Sequence, residues 1–254
     1  MFILAEPHFA MTIPILFGYR SNFKEKKLPY IIGPLLIVAI ASGLFIFQQA
    51  LFYIVFLVAN IYHVNRQSVG ISAIQDSGAR DIKPFYEFTL HIVTITCLYI
   101  SLVMKQHDIF LGIAVLTIAS LIMSIYIKFR KGSWPSLKQI FLFSQGYLIF
   151  VPIAMFSDII LAFAIGISIH YLQYISIGFS ICIKGLKQKI WPIIFILIIY
   201  SSITTAIQSG LITKDKTSLL ILFPAILQLL HFYFDALIWR RSDPIIRETM
   251  SKSF

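Results

Sequence analysis

The sequence predicts an all-α fold: a polytopic integral-membrane helical bundle of about eight transmembrane helices, with a short apolar segment ahead of them. Three observations carry this. The 254-residue chain is 58% hydrophobic and only 13% charged. Its mean hydropathy is +0.85, well outside the range of ordinary soluble domains. Its apolar runs repeatedly reach the roughly 20 residues that a helix needs to cross a bilayer core. Residues 1–254 read as a single integral-membrane domain.

The elements follow in order. Residues 3–17 are apolar but short for a span, and Glu6, Pro7, His8 and Pro14 interrupt them. With no basic segment before it, this stretch does not read as a cleavable signal peptide. From Pro29 to about His63 the chain is too long for one span, and Gln48 and Gln49 offer a polar turn, giving helices at about 29–47 and 50–66. A polar stretch at 65–83 follows, and then apolar helices at about 84–104, 109–129, 136–156, 159–183, 190–212 and 217–239. Pro84, Pro135 and Pro192 stand at or near three helix starts, where a missing N–H is harmless. Cys97 and Cys182 lie inside apolar runs and read as free, core-filling thiols.

The net charge of +10 sits in short loops between apolar runs, so it reads as a topology signal and not as a nucleic-acid footprint. Basic clusters at 20–27, 66–83, 128–138, 184–189 and 240–252 alternate with basic-poor turns at 48–49, 105–108, 157–158 and 213–216. The positive-inside rule then places the rich loops and the C-terminus in the cytoplasm, and Trp239-Arg240-Arg241 reads as an interfacial anchor. The expected localisation is the bacterial inner (plasma) membrane.

That topology gives depths, because a helix rises about 1.5 Å per residue. His8, His63, His91, His170 and His231 fall in the cytoplasmic half, as do Glu87 and Asp235, and only His107 lies on the other side. An ionisable side chain inside a bilayer is a functional-site candidate, and several at one depth point to a metal centre. Glu87–His91 and His231–Asp235 are i, i+4 pairs that put two side chains on one helical face. Imidazole with carboxylate suits iron, manganese or zinc. An i+4 carboxylate serves either as a ligand or as the acceptor that orients the histidine.

The order of these motifs resembles the Brp/Blh family of integral-membrane proteins that cleave beta-carotene to retinal. Pro7-His8, Tyr62-His63, His170-Tyr171 and His231-Phe232-Tyr233-Phe234-Asp235 are the counterparts of its motifs. Where the family has an Asp soon after Pro-His, this chain has Phe9-Ala10-Met11-Thr12, and Gln173 and Tyr174 stand where a second late histidine is expected. The resemblance implies an oxidoreductase: an iron-dependent dioxygenase holding non-haem Fe(2+), with O2 and a lipid-soluble small molecule, a carotenoid in the leading case, as its partners alongside membrane lipids. A proton- or cation-coupled transporter and a haem-binding electron carrier are the alternatives. Gly-x-Ser-x-Gly and phosphate-binding glycine loops are absent from the sequence. A reporter fused after Phe254 is expected to be active only in the cytoplasm, and activity on the far side would overturn the depth argument.

Overall fold

The structure, a computed structural model, describes residues 2–18, 27–75, 81–210, 219–238 and 248–249. The basic segment at 20–26, the polar residues 76–80, the turn at 213–216, the Trp239-Arg240-Arg241 anchor and the basic residues after it lie outside the described residues. Ten helices are described: α1 Phe2–Gly18, α2 Lys27–Phe47, α3 Gln49–Gln75, α4 Lys83–Leu98, α5 Ile109–Lys131, α6 Leu137–Leu148, α7 Val151–Met155, α8 Ile159–Ser180, α9 Ile190–Gly210 and α10 Leu219–Ile238. No strand occurs among the described residues.

Each of the eight expected spans contains helix, but only four described helices are long and apolar enough to cross a membrane: Leu28–Phe47, Lys83–Val103, Ile109–Lys131 and Leu161–Gly185. Ile190–Thr205 and Leu222–Ile238 are apolar but shorter. The expected span at 136–156 is broken into α6 and α7. Pro152 has no N–H to extend α6, and the chain tightens through Ile149 N–H to Gly146 O and Phe150 N–H to Tyr147 O, at 3.4 and 3.1 Å. Residues 65–75, expected as part of a polar connection at 65–83, are instead helical, because α3 continues to Gln75. Val64, Asn65, Ser68, Ile71 and Ser72 are buried at helical spacing. Ser68 and Ser72 donate to Val64 O and Ser68 O, each at 3.0 Å, so both serine hydroxyls are satisfied without leaving the helix.

The helix ends follow local chemistry. Asp108 caps α5 by accepting Phe110 N–H at 2.8 Å, and Ser136 with Gln139 forms a reciprocal capping box on α6. Gly132 closes α5 at φ 71°, a conformation open to glycine at no steric cost. Helices α4 and α8 end alike, in π-type turns at Tyr99–Val103 and Ile181–Gly185. Each turn is followed by a lysine at φ 53°, Lys105 and Lys187.

The contacts divide the chain into two units, Met1–Asn60 with Leu172–Phe254 and Ile61–Tyr171. In the first, Ala41, Phe45, Phe52, Leu222 and Ala225 form an apolar core. Tyr233 packs over Gly33 and donates to Pro29 O at 2.7 Å. Gln228 donates to Asn60 Oδ1 at 2.5 Å, a polar tie of the kind that holds apolar helices together. In the second unit, the core is built on Tyr86, Leu90, Met123, Phe143, Tyr147 and Ile153. Tyr86 donates to Phe143 O at 2.9 Å, which satisfies a hydroxyl inside that core.

Gly166 of α8 lies against the Ile149 carbonyl, with no room for a Cβ. Gly166→Ala is therefore expected to lower stability by about 1–3 kcal/mol through overpacking against backbone. Thermal unfolding of the detergent-solubilised protein measures it, with Gly43→Ala, which meets nothing, as the control.

Candidate metal site

The seven candidate site residues are divided between the two units. His8, His231 and Asp235 belong to the first; His63, Glu87, His91 and His170 belong to the second.

In the first unit, α1 carries His8 and α10 carries His231 and Asp235, which are 0%, 3% and 2% exposed. The His8 and His231 rings stand 4.6 Å apart between centroids, edge to face. His231 Nε2 lies 3.7 Å from Asp235 Oδ2, beyond hydrogen-bond length. Two further residues complete the group. Thr12 Oγ1 is 2.6 Å from His231 Nδ1 and 3.0 Å from the Tyr174 hydroxyl. Tyr174 donates to Asp235 Oδ1 at 2.5 Å, a short charge-assisted bond. Its ring lies 4.4 Å from that of His8.

Local sequence explains the arrangement. Helix α1 holds both Pro7 and Pro14, each of which removes a helical N–H. Its last turn is tied down by Gln188, whose side chain donates to Pro14 O at 2.8 Å. Gly178 of α8 admits the Met11 side chain, one residue before Thr12. Sequence reasoning did not assign Thr12 or Tyr174 to the site. The signal was available: Thr12 follows His8, and Tyr174 follows His170, at the same i+4 interval that singled out Asp235 after His231.

In the second unit, His63 of α3 and His170 of α8 are both buried. Their rings stand 5.6 Å apart at 86°. Glu87 and His91 are engaged differently from the other candidates. Arg66 Nη1 donates to both Glu87 carboxylate oxygens at 2.9 Å, and the guanidinium carbon lies 6.0 Å from the Tyr62 ring centroid. His91 is half-buried, with Nδ1 2.7 Å from the Glu87 backbone carbonyl. A carbonyl only accepts, so this ring is a donor within its own helix. His107 follows the π-type turn that ends α4.

Chemically, the first unit offers two imidazoles and a carboxylate in a dry setting. His231 Nε2 and Asp235 Oδ2, 3.7 Å apart, would with His8 be the donors offered to a first-row ion, and imidazole and carboxylate are ligand types such ions take. No protein family matches this chain, and neither a curated protein nor a solved structure is detectably similar to it.

Asp235→Ala removes the acceptor of a buried tyrosine hydroxyl and is expected to destabilise by about 1–3 kcal/mol. Glu87→Gln alters a partly exposed ion pair and should lower stability by less than about 1 kcal/mol. Thermal melts in detergent rank the two, and a larger loss from Glu87→Gln would reverse the ranking of these carboxylates.

Proposed function

We propose that this protein is a membrane-embedded non-haem iron oxygenase acting on a lipid-soluble substrate, with oxidative cleavage of beta-carotene to retinal as the leading case. The observation that carries the reading is the buried group His8, His231 and Asp235 in the first unit. Two histidines and one carboxylate are the donor set of non-haem iron oxygenases. His63 and His170 are retained as candidate ligands on the depth argument from the sequence. Glu87 and His91 are retained on the same argument, Glu87 while paired with Arg66 and His91 with its Nδ1 bonded to its own helix, as the second nitrogen of a ligating histidine commonly is. The resemblance in motif order supplies the polyene and O2. The four apolar helices long enough to cross a membrane support a site that a bilayer-soluble molecule reaches laterally. The eight crossings and the cytoplasmic C-terminus, read from the loop charges, belong to the same proposal.

Bound iron would supply the one-electron and O2 chemistry that no side chain performs alone. The chain's own residues account for the rest. His8 and His231 contribute neutral nitrogen donors, and Asp235 contributes negative charge from Oδ2 while Tyr174 holds Oδ1. The apolar flanks of α1 and α10 keep water away, which strengthens every electrostatic contact in the site. In the overall reaction the two atoms of O2 become the carbonyl oxygens of two aldehydes as one carbon–carbon double bond is cleaved.

Purified protein is expected to carry non-haem iron in stoichiometric amount, measured by elemental analysis. His8→Ala, His63→Ala, His170→Ala and His231→Ala should each reduce it, and His107→Ala should not. Expression in carotene-producing cells should bleach the pigment and yield retinal. A Soret band would replace this reading with a haem carrier, and iron-loaded protein that leaves the pigment intact would remove carotene as the substrate.

A further inference from the structure

Thr12 and Tyr174 hold no metal themselves, yet their single hydroxyl protons connect His231 to Asp235. Asp235 as a carboxylate only accepts. Tyr174 has one hydroxyl proton, and it points to Asp235 Oδ1 at 2.5 Å. At the 3.0 Å contact between the two hydroxyls, Tyr174 must therefore accept and Thr12 must donate. The 3.5 Å contact from Thr12 to Asp235 Oδ1 draws on the same single proton. Thr12 then has none left for His231, so the 2.6 Å bond runs from the ring Nδ1–H to Thr12 Oγ1. Reversing that bond would set the lone pairs of Thr12 and Tyr174 against each other in a buried setting, where an unmade hydrogen bond costs about 1–3 kcal/mol.

We propose that Thr12 and Tyr174 form a one-way hydroxyl chain, from His231 Nδ1–H to the Asp235 carboxylate, that fixes His231 as the tautomer whose Nε2 bears the lone pair. In the neutral ring the second nitrogen has no proton, and Nε2 is the atom that faces Asp235 Oδ2 at 3.7 Å. A carboxylate usually fixes the second nitrogen of a metal-bound histidine directly. Here the same carboxylate acts through two hydroxyls on one oxygen and keeps its other oxygen toward the site. Thr12 and Tyr174 are positioning residues, and their relevance to catalysis rests on the metal-site reading above, although the tautomer does not.

The test uses the full-length, metal-free protein labelled with 15N-histidine in detergent, with the His231 resonances identified by their loss in His231→Gln. The expected spectrum has a protonated Nδ1 and a lone-pair Nε2. Thr12→Val, close to isosteric, should abolish that preference and weaken Fe(II) or Co(II) binding by about 10- to 100-fold. Thr12→Ser should restore both, and Tyr174→Phe should lose part of each. A wild-type His231 protonated at Nε2, or at both nitrogens, overturns the proposal, as does a Thr12→Val protein with unchanged tautomer and affinity. If the wild type shows the predicted tautomer but binds neither metal, the hydroxyl chain stands and the oxygenase reading falls.

Discussion

A carboxylate and an imidazole buried among apolar helices have no water to bond, so the polar atoms around them must satisfy one another. That requirement organises the first unit. Asp235 is tolerable at 2% exposure because Tyr174 donates to it, the Tyr174 hydroxyl is held in turn by Thr12, and Thr12 is held by His231 Nδ1. Three helices are thereby held in register by atoms on their polar faces, where apolar packing alone would allow them to rotate or slide.

Much of the architecture was legible in the sequence. Runs of apolar residues located the helices, and Gln48, Pro84, Pro135 and Pro192 marked their breaks and starts. Two features were not legible, for a common reason. Polar residues in α3 satisfy their hydroxyls on their own backbone, so polarity at 65–75 did not end the helix. Pro152, inside an otherwise continuous apolar run, did end one. Hydropathy records what a residue prefers as a solvent, whereas helix continuity depends on whether each N–H and C=O finds a partner.

The site was legible in the same partial way. The i+4 rule correctly put His231 and Asp235 on one face, but the equal spacing of Glu87 and His91 said nothing about which neighbours that face meets. Arg66 stands against Glu87 and engages it, a contact 21 positions away in sequence that no local pattern announces. Thr12 and Tyr174 figured in the sequence only as departures from a family pattern. Their function depends on where their single protons point, and that is fixed only when residues 162 and 219 positions apart are brought together.

Those separations bear on how the protein is made. His8 and Thr12 are synthesised before the rest of the group and sit on a helix weakened by two prolines, while Tyr174, His231 and Asp235 follow 162 or more positions after Thr12. Until α10 has been inserted, the N-terminal helix has neither the imidazole nor the carboxylate that completes its polar group. Its final turn is also unanchored until Gln188 arrives to bond Pro14. A chain that stops short of α10 therefore leaves α1 without these partners. The buried group cannot form before α10 is in place, because His231 and Asp235 both lie on it.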